Sequence, residues 1–162
     1  SLKDRKEIGR SIGADIPYLL VGKTARTRGI GDELEILESL PVTNILIVNN
    51  GVEISTPYVY SNIIPTGNSN RVDKLIEIYK NKNYKEFFNN LYNVMEEVSI
   101  SYCPEIKDIK EKMYEFNSIK ALMSGSGPTV FGIFENEEDI NKAYNYFKGK
   151  YNNTFVVKTM EK

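Results

Sequence analysis

The 162-residue chain contains no histidine and a single cysteine. Without histidine it cannot build a Ser-His-Asp triad, a Cys-His pair or a His-ligated zinc site from its own residues. Any catalysis it supports must rest on carboxylates, lysines, hydroxyls and backbone amides. The lone Cys103 forbids an internal disulfide and suits a reducing cytoplasm. Its position before Pro104, at an expected helix start, makes it a buried or capping thiol rather than a nucleophile. No apolar run approaches the roughly 18 residues of a membrane span, and no basic-then-apolar signal segment opens the chain. An excess of charge is missing too: 21 Lys and Arg face 22 Asp and Glu, for a net charge of −1. The lysines are scattered rather than striped, which argues against nucleic acid or an anionic membrane as a partner. The chain opens Ser-Leu-Lys, without an initiator methionine, and is expected to be a fragment of a longer protein.

What is present is ordinary for a globular protein: 41% hydrophobic and 27% charged residues, at a length that supports a real core. The chain is organised around Ile119–Phe134, IKALMSGSGPTVFGIF. Two apolar runs flank a knot of small residues, Ser124-Gly125-Ser126-Gly127-Pro128-Thr129, which reads as strand, tight turn, strand. Two glycines around one serine allow positive φ and a close backbone approach. Successive N–H groups in such a turn can form a nest for an anion, with the hydroxyls as further donors. A hairpin that needed glycine to turn explains the same residues. A Walker A loop does not, since no lysine follows the glycines.

In chain order, Ser1–Ile12 reads as the end of a helix capped by Gly13, and Pro17 leads into an apolar strand, Tyr18–Val21. Short strands are expected at Thr24–Arg28 and Glu33–Leu37, around the turn Gly29-Ile30-Gly31-Asp32. Asp15, held between Ala14 and Ile16-Pro17, is either a turn-forming aspartate or a carboxylate presented on a rigid junction. Leu40-Pro41 marks a boundary, and Asn44–Val48 is a buried strand. Ser55 or Thr56 caps a short helix with Pro57 at its first position. Residues 63–70 form a loop, and Val72, Leu75, Ile76 and Tyr79 a helical stripe. Tyr84, Phe87, Phe88, Leu91, Tyr92, Met95 and Val98 follow the period of one long amphipathic helix. Further helices are expected behind Pro104 and behind the cap Asn136, and a last strand at Phe155–Val157. The order fits an α+β class: an antiparallel sheet with helices packed on one face.

Four stretches, in this order, resemble the GHMP small-molecule kinases. They are IGADIPYLL at Ile12–Leu20, TRGIGD at Thr27–Asp32, STPYVY at Ser55–Tyr60 and MSGSGPTVF at Met123–Phe131. The SGSGP stretch marks the superfamily. GADIP followed by STPYVY is similar to the branch that phosphorylates 4-diphosphocytidyl-2-C-methyl-D-erythritol in non-mevalonate isoprenoid biosynthesis. One departure is Asn49-Asn50, where relatives commonly end the strand with a proline.

The resemblance implies a ferredoxin-like C-terminal domain at residues 41–162, with residues 1–40 as the tail of the ATP-binding N-terminal domain. The family's glycine-rich phosphate loop and an N-terminal lysine lie upstream of GADxP, so the chain alone is expected to be inactive. Asp15 would be the general base that orients and deprotonates the substrate's 2-hydroxyl as it attacks the γ-phosphate of ATP. Gly125, Ser126 and Gly127 would brace the phosphate loop or offer amides near the phosphates. Thr56 and Tyr60 would contact the substrate, Tyr60 by stacking on the cytosine ring. ATP with Mg2+ would be the co-substrate, and no residue is assigned as a metal ligand. The implied partner is a cytidine diphosphate-linked small molecule, with neither nucleic acid nor membrane, and a homodimer is left open. Another GHMP kinase of the homoserine or mevalonate type, or a non-catalytic ligand-binding α+β module, are the alternatives.

Overall fold

The computed structural model describes residues 13, 16–29, 31, 33–64 and 70–160. The chain divides into two compact units, Ser1–Val42 with Thr159–Lys162, and Thr43–Lys158.

The first unit holds helix α1 (Ile16–Val21) and strands β1 (Ala25–Arg28) and β2 (Glu33–Ile36). The two strands pair antiparallel from Ala25↔Ile36 to Arg28↔Glu33, as the meander expectation required. Gly31 closes their turn at φ 101°, and its N–H bonds the Arg28 carbonyl at 3.0 Å. The expected strand at Tyr18–Val21 is instead the body of α1. Pro17 sits in the first turn, where its missing N–H costs no hydrogen bond. Gly22, at φ 64°, ends the helix and returns its N–H to the Tyr18 carbonyl at 2.9 Å. A four-residue apolar run carries no period of its own, so helix start and stop chemistry decided the outcome.

The second unit runs β3 (Asn44–Asn49), α2 (Thr56–Asn62), α3 (Asn70–Lys80), α4 (Tyr84–Asn90), α5 (Glu96–Tyr102), α6 (Glu105–Glu115), β4 (Lys120–Met123), β5 (Val130–Phe134), α7 (Glu137–Lys148) and β6 (Asn153–Lys158). The four strands form one antiparallel sheet in the order β4-β5-β3-β6. That is the split β-α-β arrangement of ferredoxin-like folds, and the α+β class stands. Register places Leu46 opposite Gly132 and Val156, and Val48 opposite Val130 and Thr154. Helices α6 and α7 press on this face, burying Ile106, Ile109, Met113, Ile140, Ala143 and Phe147 against Leu46, Val48, Val130 and Phe134. Apart from Ala143, each such side chain contributes about 1.5–3 kcal/mol when fully buried. Gly132 lets α6 come close: a Cβ there would lie 2.8 Å from the Met113 sulfur. On the opposite face Ile45, Ile47 and Phe131 are half-buried, while Phe155 and Val157 are exposed.

The long helix expected over Tyr84–Val98 is two helices, α4 and α5, with Leu91–Met95 between them. Asn93 explains the break. Its side-chain oxygen accepts the Met95 N–H at 2.9 Å, a local bond that competes with the helical one. The aromatic residues keep their core role, with Phe87 edge-on to the buried Tyr79 at 5.1 Å between ring centres. Helix α7 begins as its sequence required: Asn136 accepts the Asp139 N–H at 2.9 Å, and Glu137, Glu138 and Asp139 occupy the first turn. Cys103 is buried between α5 and α6. Among the described residues no helix is long and apolar enough to cross a membrane.

Candidate functional site

The glycine turn between β4 and β5 is a tight loop closed at both ends. The Ser124 N–H bonds the Thr129 carbonyl at 2.8 Å, and the Gly127 N–H bonds the Ser124 carbonyl at 3.0 Å. Gly125 and Gly127 take φ of 58° and 84°, in the left-handed region where a side chain is strained. Gly127 is also confined: a Cβ there would sit 2.6 Å from the Met123 sulfur. Gly127-Pro128 is a cis peptide bond. The N–H groups of Gly125 and Ser126 meet no acceptor among the described residues. Two adjacent free donors in a glycine turn are what an anion nest requires.

Helix α2 meets this turn. Ser55 caps it by accepting the Tyr58 N–H at 3.4 Å, and Pro57 follows in its first turn. Thr56 then points its hydroxyl at Ser126, Oγ1 to Oγ 2.8 Å, across 70 residues of sequence. Two residues singled out separately in the sequence are thus brought into direct contact. Tyr60 lies one helical turn beyond Thr56 on the same face, with 61% of its surface exposed. Val59, fully buried, anchors the helix beside that face. Asp15, Ile30 and Asp32 lie outside the described residues.

Sequence reasoning missed the residues that hold the turn from behind. Asn93 donates both amide hydrogens, to the Met123 carbonyl at 2.9 Å and the Gly125 carbonyl at 2.7 Å. Ser99, completely buried in α5, donates to the Ser126 carbonyl at 2.9 Å. Asn49 donates to the Thr129 hydroxyl at 2.8 Å. An asparagine in the middle of an otherwise helical stripe was the one visible signal for Asn93.

The Asn49-Asn50 departure also resolves into a built turn. Asn49 accepts the Gly51 N–H at 2.8 Å and Asn50 accepts the Val52 N–H at 3.2 Å, two successive Asx turns. The Asn50 amide donates to Glu105 at 2.6 Å, and Tyr151 donates to the other oxygen of that carboxylate at 2.8 Å. Burial, and then the Glu105 carboxylate, push the Tyr151 hydroxyl well above the ordinary tyrosine range, so it stays a donor. Between the β3–α2 segment and the glycine turn lies a cleft of about 580 Å³, walled by Asn49, Gly51, Ser55, Tyr102, Gly127 and Pro128. Among the described residues no group of three His, Cys, Asp or Glu gathers as a protein-built metal site would.

Comparison with known proteins follows the same line. The family model "GHMP kinases C terminal" matches residues 74–153. A 4-diphosphocytidyl-2-C-methyl-D-erythritol kinase of Finegoldia magna is 41% identical over 160 residues, covering 99% of this chain and 57% of that protein. A solved 4-(cytidine 5'-diphospho)-2C-methyl-D-erythritol kinase superposes with a TM-score of 0.77 at 24% identity, over 94% of this chain and 56% of the other. A homoserine kinase of Cytophaga hutchinsonii superposes with a TM-score of 0.67 at 18% identity, over 91% and 51%. The two solved structures show the fold. The chain spans a little over half the length of the curated relatives it matches.

Proposed function

As the chain carries a GHMP kinase C-terminal domain, we propose that it is the C-terminal part of an enzyme that phosphorylates the 2-hydroxyl of 4-diphosphocytidyl-2-C-methyl-D-erythritol with ATP. The observation that carries this reading is the joining of Thr56 to Ser126 at 2.8 Å, on a chain 41% identical to a kinase of that name. The homoserine kinase shares the fold at 18% identity, which does not favour its substrate.

In this reading the work divides by residue. Phosphoryl transfer needs little covalent help and much positioning. Asp15 orients the acceptor hydroxyl and takes its proton. The free N–H groups of Gly125 and Ser126 offer positive dipole ends to phosphate oxygens. Thr56 and the exposed Tyr60 form one face of α2, with Tyr60 stacking on the cytosine; such a contact is worth about 1–3 kcal/mol. Mg2+, which travels largely on the phosphates of its nucleotide, supplies charge neutralisation when bound. Residues 1–40 are assigned to the ATP-binding domain and the reaction to the cytoplasm, where the free, buried thiol of Cys103 is compatible with reducing conditions.

The test uses the full-length protein. ADP release should depend on the cytidine-bearing acceptor, and Asp15→Asn should lower kcat by roughly two to four orders of magnitude with little change in acceptor KM. Equal turnover of homoserine or mevalonate, or an unimpaired Asp15→Asn variant, would overturn the reading.

A further inference from the structure

A second cavity, of about 500 Å³, shares no lining residue with the Gly127 cleft and lies between the start of α3, the α4–α5 connection, α5, α6 and β4. Its volume is that of a small-molecule site. Three cations reach it from three separate elements: Arg71, Lys110 and Lys120. Lys110 is matched by Glu96, Nζ to Oε2 2.6 Å, and the other Glu96 oxygen accepts the Met123 N–H at 3.0 Å. That carboxylate has no further oxygen to offer. Arg71 rests its guanidinium 3.5 Å from the centre of the Tyr92 ring, and Lys120 donates to the Asn89 carbonyl at 2.9 Å. Neither has a carboxylate partner among the described residues. Leu91, Val94 and Leu122 supply apolar wall between these charges.

We propose that this cavity binds a phosphate-bearing small molecule with an aromatic or apolar body, its phosphate between Arg71 and Lys120. With Glu96 and Glu97 also on the lining, the three cations still leave the cavity net positive, and a phosphate offers oxygens to Arg71 and Lys120 at once. The Tyr92 face already holds a planar cation, which orients the guanidinium edge as a donor fork. Burial first, then the nearby charge of Lys110, and last that of Arg71 hold Lys120 below the ordinary lysine range against the opposing pull of Glu96, so an anion there relieves a standing repulsion. Asn93 lines the same cavity and holds the glycine turn through its amide, so the ligand would lie behind that turn. None of this depends on the kinase reading.

The probe is phenyl phosphate, titrated into the 162-residue chain and followed by backbone amide shifts in NMR. Saturable shifts are expected at residues 91–98 and 120–122, and benzyl alcohol, uncharged and of similar size, should cause none. Arg71→Gln alters an exposed side chain and should weaken binding by roughly tenfold, the worth of one charge-assisted hydrogen bond. Lys120→Gln should do the same. Glu97→Gln removes an acid from the cavity rim and should tighten binding by about twofold. Absence of saturation, indifference to both cation variants, or shifts confined to Ser124–Thr129 would overturn the proposal.

Discussion

Replacing Asn93 by alanine should be the most informative single truncation in the second unit. Its side chain makes three bonds at once: to the Met123 carbonyl at 2.9 Å, to the Gly125 carbonyl at 2.7 Å, and from the Met95 N–H at 2.9 Å. A hydrogen bond contributes about 1 kcal/mol net. The Gly125 end is exposed and regains water in the variant, so about two of the three count, or about 2 kcal/mol. For a chain of this size that lowers Tm by about 4–8 °C. Asn93→Asp is the sharper arm. It keeps the acceptor for Met95 but turns a carboxylate oxygen toward two carbonyls, so it should cost more than alanine at neutral pH. Protonation restores a donor. The folded state therefore raises the introduced carboxyl's pKa, and the penalty fades as pH falls through that raised value. Thermal unfolding followed by circular dichroism reads both variants. If each melts within about 1 °C of the parent, or if the aspartate variant is the milder at neutral pH, Asn93 does not hold the turn as described.

The two glycines of the turn should separate by mechanism. Gly127→Ala combines a left-handed φ of 84° with a Cβ 2.6 Å from the Met123 sulfur, so strain and overpacking together should cost about 3 kcal/mol. Gly125→Ala has the φ problem alone, in open space, and should cost about 1 kcal/mol in urea unfolding; equal losses would refute the steric argument. A third prediction concerns pH. Lys120 has a folded pKa below its ordinary 10.5, from burial and then Lys110. Between the depressed value and 10.5 the unfolded chain binds more protons, so stability rises with pH across that window. Relative to Lys120→Gln, the parent should therefore gain in urea midpoint as the pH climbs from neutrality toward 10.5. A difference that stays flat or falls would sink the assignment.

The parts of the fold legible from sequence were those whose signals agreed at two levels. Asn44–Asn49 and Val130–Phe134 combined apolar β-branched runs with turn residues at their ends, and both are strands. Helix α7 combined its period with an asparagine cap and three acids in the first turn. Where the two levels disagreed, the local chemistry prevailed over the pattern. Tyr18–Val21 carried strand-forming residues, yet Pro17 before it and Gly22 after it are helix start and stop signals, and the segment is helical. Over Tyr84–Val98 the apolar period is unbroken, yet one asparagine side chain ends the continuity at Asn93. A period reports which face is buried. It does not report whether the backbone stays helical between the buried positions.

The candidate site divides in the same way. The glycine turn was legible because its demand is local: a left-handed φ beside a sulfur that leaves no room for a Cβ can be met only by glycine. What the turn is attached to was not, because each partner is remote in the chain. Thr56 reaches Ser126 across 70 residues and Asn49 reaches Thr129 across 80. Each partner alone is an unremarkable polar residue. The Asn49-Asn50 pair shows how polar side chains build a turn and its attachments together. Two Asx turns bend the backbone, as a proline would by fixing φ. The spare amide hydrogens then do what a proline cannot. Asn49 reaches the end of the glycine turn at Thr129, and Asn50 reaches Glu105 at the start of α6. The asparagine pair therefore supplies both the bend and the polar attachments that tie it to the site.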